Sequence, residues 1–336
     1  MPTLKDVAKL AGVSTSTASR VLTGAANVNE ATKARVMEAI EKLGYQTNFV
    51  AKSLRQRRTG TLALLIPNIR NPFYSIVTKG VTAVAKQHGY TVILADCDDD
   101  LQHEVETINR LKNRWVDGFI IATTSEKNYD HLLALQDSKI PLVLLVRKID
   151  REITSVVVDD YRGGYLGTEY LLQKGHRRIA FIGGDLNLSF NRNRYLGYLK
   201  ALKDWGVEKD EEIIITRIIG HEGGYQAVNE LLLLEKKFTA VLCTNDIKAL
   251  GAMRAIYDAG LSVPRDISVM GFDNLDLSAL SIPALTTVAQ PAYEMGEEAA
   301  QRVIDLINNI KPPNLIKLMD VSVVERDTVT VPPVYL

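Results

Sequence analysis

LKDVAKLAGVSTSTASRVL, residues Leu4 to Leu22, breaks at Ala11-Gly12-Val13 into two short apolar-periodic segments. Thr3 is placed to cap the first and Ser14 the second, and Gly12 can make the tight turn between them. The second segment keeps Ala18, Val21 and Leu22 for packing and leaves Thr15, Ser16 and Arg20 as its polar side. A third helix is predicted from Asn29 through EATKARVMEAIEKLGY, with Val36, Ile40 and Leu43 on one face and Gly44 as its stop. Three such helices form a unit too small to be more than marginally stable alone.

Helix, glycine turn, helix describes any αα-corner. Short hydroxyl side chains at a helix N-terminus, with one long bidentate donor a turn later, are also the groups that reach base edges in a major groove. Capping accounts for the hydroxyls and leaves Arg20 unexplained. Charge separates the readings: residues 1–58 carry ten Lys/Arg against four acids, net +6, while the whole chain of 336 residues is neutral with 40 of each. A basic module on a slightly acidic body points to a polyanion as the module's partner.

After Tyr45, QTNFVAKSLRQRRTG reads as a basic linker ending in Gly60. From Thr61 the texture changes. TLALLIP, YTVILAD, GFIIATT and PLVLLV are buried-strand runs alternating with helical segments, and SVVVDD, RIAFIGG, EEIIITRI, TAVLCTN and ISVMGFD repeat the alternation from Ser155. Two such halves predict two α/β lobes with parallel sheets and a small-molecule cleft between them. Two cysteines, Cys97 and Cys243, supply no disulfide framework. The charged opening MPTLKDVAKL is unlike a secretory signal, and the longest apolar runs are too short to span a bilayer, so a cytoplasmic protein without a membrane partner is expected.

The ordered set TLKDVAKLAGVSTSTASRVL, LGY, NFVAKSLR, NPFY, GFDN and LTTVAQP, from Thr3 to about Arg326, resembles the LacI/GalR family of bacterial repressors. The resemblance implies an all-α helix-turn-helix head (1–46), a hinge helix (47–59) and a two-lobed α/β sensor like type I periplasmic binding proteins (60–336). Its N-lobe would hold about 60–158 and 291–319, and its C-lobe about 159–290 and 320–336. It implies a homodimer on double-stranded operator DNA, with Thr15, Ser16 and Arg20 reading bases. The hinge would present Asn48, Ala51, Lys52, Leu54 and Arg55, with Leu54 as a minor-groove wedge unless it is an ordinary exposed leucine. Thr47 stands where the family usually has proline. Segments 72–88 and 246–259 are the expected dimer faces.

The resemblance also implies a small effector, a sugar, sugar acid or sugar phosphate, contacted by Asn71, Phe73, Tyr74, Arg147, Asp159, Arg194, Asn245, Asp273 and Gln290. Asp246 is as good an N-cap as a ligand contact. Val146-Arg147 replaces the family's usual carboxylate-arginine pair. Arg147 either turns into the cleft, favouring an acidic ligand, or faces solvent or Asp150. Five scattered histidines lack metal-ligand spacing, ADCDDD (95–100) reads as a solvated turn, and FIGGD lacks the dinucleotide spacing. No cofactor, metal or catalytic residue is assigned. The rivals are a sugar-processing enzyme with an accessory helical domain and a ligand-binding receptor without DNA function.

Overall fold

The computed structural model describes residues 2–22, 28–45, 58–113, 116–217, 220–234 and 238–333, which form two compact units, 1–59 and 60–336.

The first unit holds α1 (Leu4–Ala11), α2 (Thr15–Leu22) and α3 (Glu30–Leu43). Thr3 and Asp6 form a reciprocal cap at the start of α1, and Gly12 closes it with φ +64. Ser14 Oγ accepts the Thr17 amide at 3.1 Å and starts α2; Asn29 and Gly44 bound α3. Val7, Ala8, Ala11, Ala18, Val21, Val36 and Ala39 make a core of small side chains, so the helices approach closely. Leu22, expected inward, is only half-buried.

The second unit runs β1 (Thr61–Ile66), α4 (Phe73–Gln87), β2 (Thr91–Asp96), α5 (Leu101–Lys112), β3 (Gly118–Ile121), α6 (Asp130–Asp137), β4 (Leu142–Leu145) and β5 (Ser155–Val158). It continues with α7 (Asp160–Gln173), β6 (Ile179–Ile182), α8 (Ser189–Asp204), β7 (Ile214–Ile215), α9 (Gly220–Leu232), β8 (Ala240–Cys243) and α10 (Asp246–Asp258). β9 (Ser268–Asp273), α11 (Asp276–Leu280), β10 (Thr286–Ala289), α12 (Ala292–Ile307), β11 (Ile316–Met319) and β12 (Ser322–Val324) complete it.

Two sheets result, ordered β11-β5-β4-β3-β1-β2 in the N-lobe and β12-β10-β9-β8-β6-β7 in the C-lobe. The first is parallel throughout. The second is parallel apart from one antiparallel strand at its edge, β12 on β10. β12 is the last short return after a direct crossing from β11, with no helix to reverse its direction. The expected strand in EEIIITRI shrinks to two residues behind a 3-10 turn at Glu211–Ile213. The central strands β1, β3, β4, β6, β8 and β9 are covered on both faces, which is why they read as unbroken apolar runs.

The chain passes between lobes three times: from β5 into α7, from β10 into α12, and from β11 into β12. Gly164 on α7 faces the backbone of α8, where any Cβ would overlap the Arg194 carbonyl; Gly224 on α9 stands in the same relation to the Lys248 carbonyl on α10. These two close approaches lock the backbones that carry Arg194 and Lys248.

Candidate functional site

Two surfaces carry the chemistry expected from the sequence. On the helical unit, α2 exposes Thr15, Ser16 and Arg20 while Ala18 and Val21 hold it to the core. Ser16 Oγ and Thr17 Oγ1 each lie 2.8 Å from Ser14 Oγ, so the capping hydroxyl organises a small polar cluster beside Arg20. Asn48, Ala51, Lys52, Leu54 and Arg55, together with Thr47, lie outside the described residues.

The second surface is a crevice. Strand order reverses between β1 and β3 in the N-lobe and between β6 and β8 in the C-lobe; loops diverge there at the carboxyl ends of strands, where open α/β sheets bind ligands. The lobes are bridged across its mouth. The Glu126 carboxylate accepts the Ser189 amide at 2.9 Å and its hydroxyl at 2.7 Å, and Lys127 Nζ donates to Asn187 Oδ1 at 2.6 Å.

Arg194 is the hub. Its Nε donates to Asp160 Oδ1 at 2.8 Å, one Nη to the Thr244 carbonyl at 2.5 Å, and the same nitrogen stands 3.7 Å from Asp273 Oδ1. The guanidinium lies 3.6 Å over Phe272. Asp273, held at φ +120, accepts Gln290 Nε2 at 2.5 Å. Burial pushes Asp160 up to about 6 and Asp273 upward as well, and Arg194 opposes both shifts. Gln290 Oε1, Asn191 Oδ1 and Thr244 Oγ1 are buried in this wall without a hydrogen-bond partner among the described residues. Such atoms are expensive to leave unmade and suit a polyhydroxylated guest.

Arg147 turns inward and does not bond Asp150. Val146 before it sits at φ +67, a left-handed conformation costly for a β-branched residue, and this aims the arginine at the Thr123 carbonyl, to which Nη1 donates. The guanidinium also lies 5.3 Å from the Phe190 ring centre, across the cleft, and Arg194 lies 5.4 Å from the same ring. Phe190, half-buried, is therefore the aromatic shared by both arginines, with Phe272 lying under Arg194 alone. Phe73 and Tyr74 are buried in the N-lobe core, edge-to-face at 5.3 Å, and offer no open stacking face. Burial pushes the Tyr74 hydroxyl up to about 12.

Several polar residues expected at the cleft are committed locally. Asn71 Oδ1 accepts the Phe73 amide at 3.1 Å, Asp159 caps α7 through the Arg162 amide at 2.9 Å, and Asn245 caps α10 through the Lys248 amide at 2.8 Å. The α10 cap is thus Asn245 and not Asp246. The buried Asp246 carboxylate ties Ser278, Thr287 and the Leu275 amide together at 2.5 to 2.8 Å. Two histidines are also more buried than single histidines usually are: His131 bonds the buried Glu104 at 2.7 Å, and His176 sits between Thr239 and the Thr330 carbonyl at 2.9 Å each.

Sequence reasoning missed Asp160, Phe190 and Lys248. Phe190 stands four residues before Arg194 on α8, hence on the same face. Lys248 is a lysine inside the buried side of α10, among Ala249, Ala252 and Met253, and burial pushes it down to about 8.

A small three-helix head carried with a two-lobed α/β binding body defines a ligand-responsive regulator class. Residues 3–48 match the family described as bacterial regulatory proteins, lacI family, and residues 59–319 match the periplasmic binding proteins and sugar binding domain of LacI family. The chain belongs to the LacI family. It is 38% identical over 330 residues to the HTH-type transcriptional regulator RegA of Clostridium saccharobutylicum, covering 97% of this chain and 98% of that one. A Lac repressor dimer solved with operator and the anti-inducer ONPF superposes with a TM-score of 0.88 at 29% identity, over 98% and 99% of the two chains. A LacI-family regulator of Enterococcus faecium with bound ribose gives 0.73 at 32% identity, over 81% and 99%.

Proposed function

We propose that this chain is a homodimeric transcription repressor that binds double-stranded operator DNA through its helical head and changes affinity when a small polyhydroxylated effector closes the cleft. One observation carries the DNA reading: Thr15, Ser16 and Arg20 are all exposed on a single short helix whose apolar side is consumed by the core. Arg20 reads a base, and the +6 of residues 1–58 holds phosphates. Asn48, Ala51, Lys52, Leu54 and Arg55 form the DNA-ordered hinge.

In the cleft, Arg147, Arg194, Asp273 and Gln290 contact the effector, with Asn71, Tyr74, Asp159 and Asn245 at the edges and Phe73 behind Tyr74. The orphaned Gln290, Asn191 and Thr244 oxygens support a hydroxyl-rich ligand, as do the ribose and cellobiose present in solved relatives. Such a ligand shifts the balance between lobe arrangements and, through the hinge, operator affinity. The dimer is built from the outer sides of α4 and α10, extended by Tyr257, Leu277, Leu280 and Ile282, large apolar side chains left 46% to 97% exposed. The protein works in the cytoplasm as a regulator and not an enzyme, its buried carboxylates Asp160 and Asp246 being held in fixed hydrogen bonds.

Selection of duplexes from a random pool by the full chain, followed by titration of the winner with a sugar panel, tests the reading. The expected result is one enriched two-fold-symmetric sequence whose affinity changes with one sugar class. Binding without sequence preference would refute it.

A further inference from the structure

We infer that the effector carries a negative group, a carboxylate or phosphate, beside its hydroxyls, and that Arg147 from the N-lobe and Lys248 from the C-lobe receive it. This rests on reading the cleft as the effector site.

The buried charges around the cleft are equal in number, three carboxylates and three cations, but unevenly paired. Asp160 is taken by Arg194, and Asp246 is satisfied by Ser278, Thr287 and the Leu275 amide. Asp273 is bonded to Gln290 and stands 3.7 Å from Arg194, which leaves two further cations, Arg147 and Lys248, 4% and 6% exposed, without a contacting carboxylate among the described residues. Arg147 has no carboxylate partner among the described residues: its fixed contacts are a carbonyl oxygen and the Phe190 ring, and its Nε proton is buried with no acceptor. Lys248 sits in the first turn after the carboxyl end of β8, in the fields of Asp273 and Arg194, with no hydrogen bond or ion pair to its ammonium among the described residues.

A buried cation without a partner is costly, and the cost is relieved by an incoming anion. Val146, at 7% exposure, offers an apolar wall where a neutral sugar hydroxyl would need an acceptor. The left-handed backbone at that residue spends conformational energy on pointing Arg147 inward. A guanidinium with a free Nε–H is shaped for carboxylate or phosphate oxygens.

The experiment uses the full chain and matched sets: glucose, glucuronate and glucose 6-phosphate; galactose and galacturonate; ribose and ribose 5-phosphate; and inorganic phosphate alone. Calorimetric titration and thermal midpoints are read for the wild type, Lys248→Met and Arg147→Gln, at constant ionic strength. The expected result is that phosphate raises the wild-type midpoint, that an anionic member binds about tenfold or more tightly than its neutral parent, and that either variant removes the preference. Lys248→Met should keep or raise the midpoint of the unliganded chain, which separates lost recognition from lost folding. A neutral sugar binding as tightly as its acid overturns the inference, as does a preference, or a phosphate response, that survives both variants. The two readings fail differently. Operator affinity that responds only to a neutral sugar removes the anionic group and keeps the effector site, whereas variant-sensitive anion binding that leaves operator affinity unchanged keeps the anion site and removes its effector role.

Discussion

The head and the cleft handle their functional side chains in opposite ways. On α2 the base-reading candidates stand exposed to water on a scaffold of small apolar residues. In the cleft Phe73, Tyr74, Arg147, Arg194, Asp273 and Gln290 are buried, Asn71, Asp159 and Asn245 partly so, and Arg194 alone holds Asp160, the Thr244 carbonyl and the Phe272 ring. A surface that meets a charged polymer can leave its order to be imposed on binding, whereas a site that must distinguish one small molecule from another needs its geometry set beforehand.

Salt gives the broadest test of that contrast. With six or more phosphate contacts from the head, operator affinity should fall about a thousandfold between 50 and 200 mM salt, while effector affinity for a neutral probe should stay nearly flat; fluorescence anisotropy and calorimetry on the same preparation would compare them. Stability should divide the same way. Asp160→Ala leaves the buried Arg194 with only the longer 3.7 Å contact to Asp273 and should cost about 3 kcal/mol in urea unfolding of the sensor. Arg20→Ala, at an exposed position, should leave the unfolding midpoint in place. Its effect should be confined to DNA: about 1–3 kcal/mol on the matched operator and much less on a duplex changed at the contacted base pair. Equal losses on both duplexes would make Arg20 a phosphate contact and blur the contrast.

The smallest expected effect is a pH slope. Lys248 is pushed down to about 8 by burial, so between that value and its ordinary 10.5 the unfolded chain holds a proton that the folded chain has released. Stability should therefore rise with pH, by about 1 kcal/mol from pH 7 to 9, relative to Lys248→Met measured alongside. Asp273, facing Arg194 and Lys248 with its carboxyl shifted up, contributes the opposite sign, a loss of stability as pH rises, and does so at lower pH. Coincident wild-type and variant curves above pH 7 would show that Lys248 is not desolvated.

The head was legible because its signals are local. Thr3, Ser14, Asn29, Gly12 and Gly44 each do what their residue type does at a helix end, within four residues of the backbone they serve. The alternation of the sensor was equally plain, since strands buried on both faces leave long apolar runs. What stayed hidden depends on contacts across the fold. That β12 runs against β10 follows from a crossing that no periodicity records. Asn245 rather than Asp246 caps α10 because three partners between Leu275 and Thr287 claim the aspartate. The cations face Phe190 rather than Phe73 or Tyr74 because the N-lobe core absorbs the latter pair. Arg147 turned inward through a left-handed valine that no residue preference would have suggested.

Of the three crossings between lobes, two run straight through the site: Asp160 follows the first and Gln290 lies in the second. Pivot and sensor are thus built from the same few residues. On the proposed effector site, a substitution at either position would alter both what the cleft recognises and how freely it bends, so a change of ligand there would come with a change in the response. Phe190, Arg147 and Lys248 lie away from the crossings. On the proposed effector site, a lineage descending from this protein can retune its chemical preference at those three positions while inheriting the mechanics intact, and a designer seeking a new effector would begin with them.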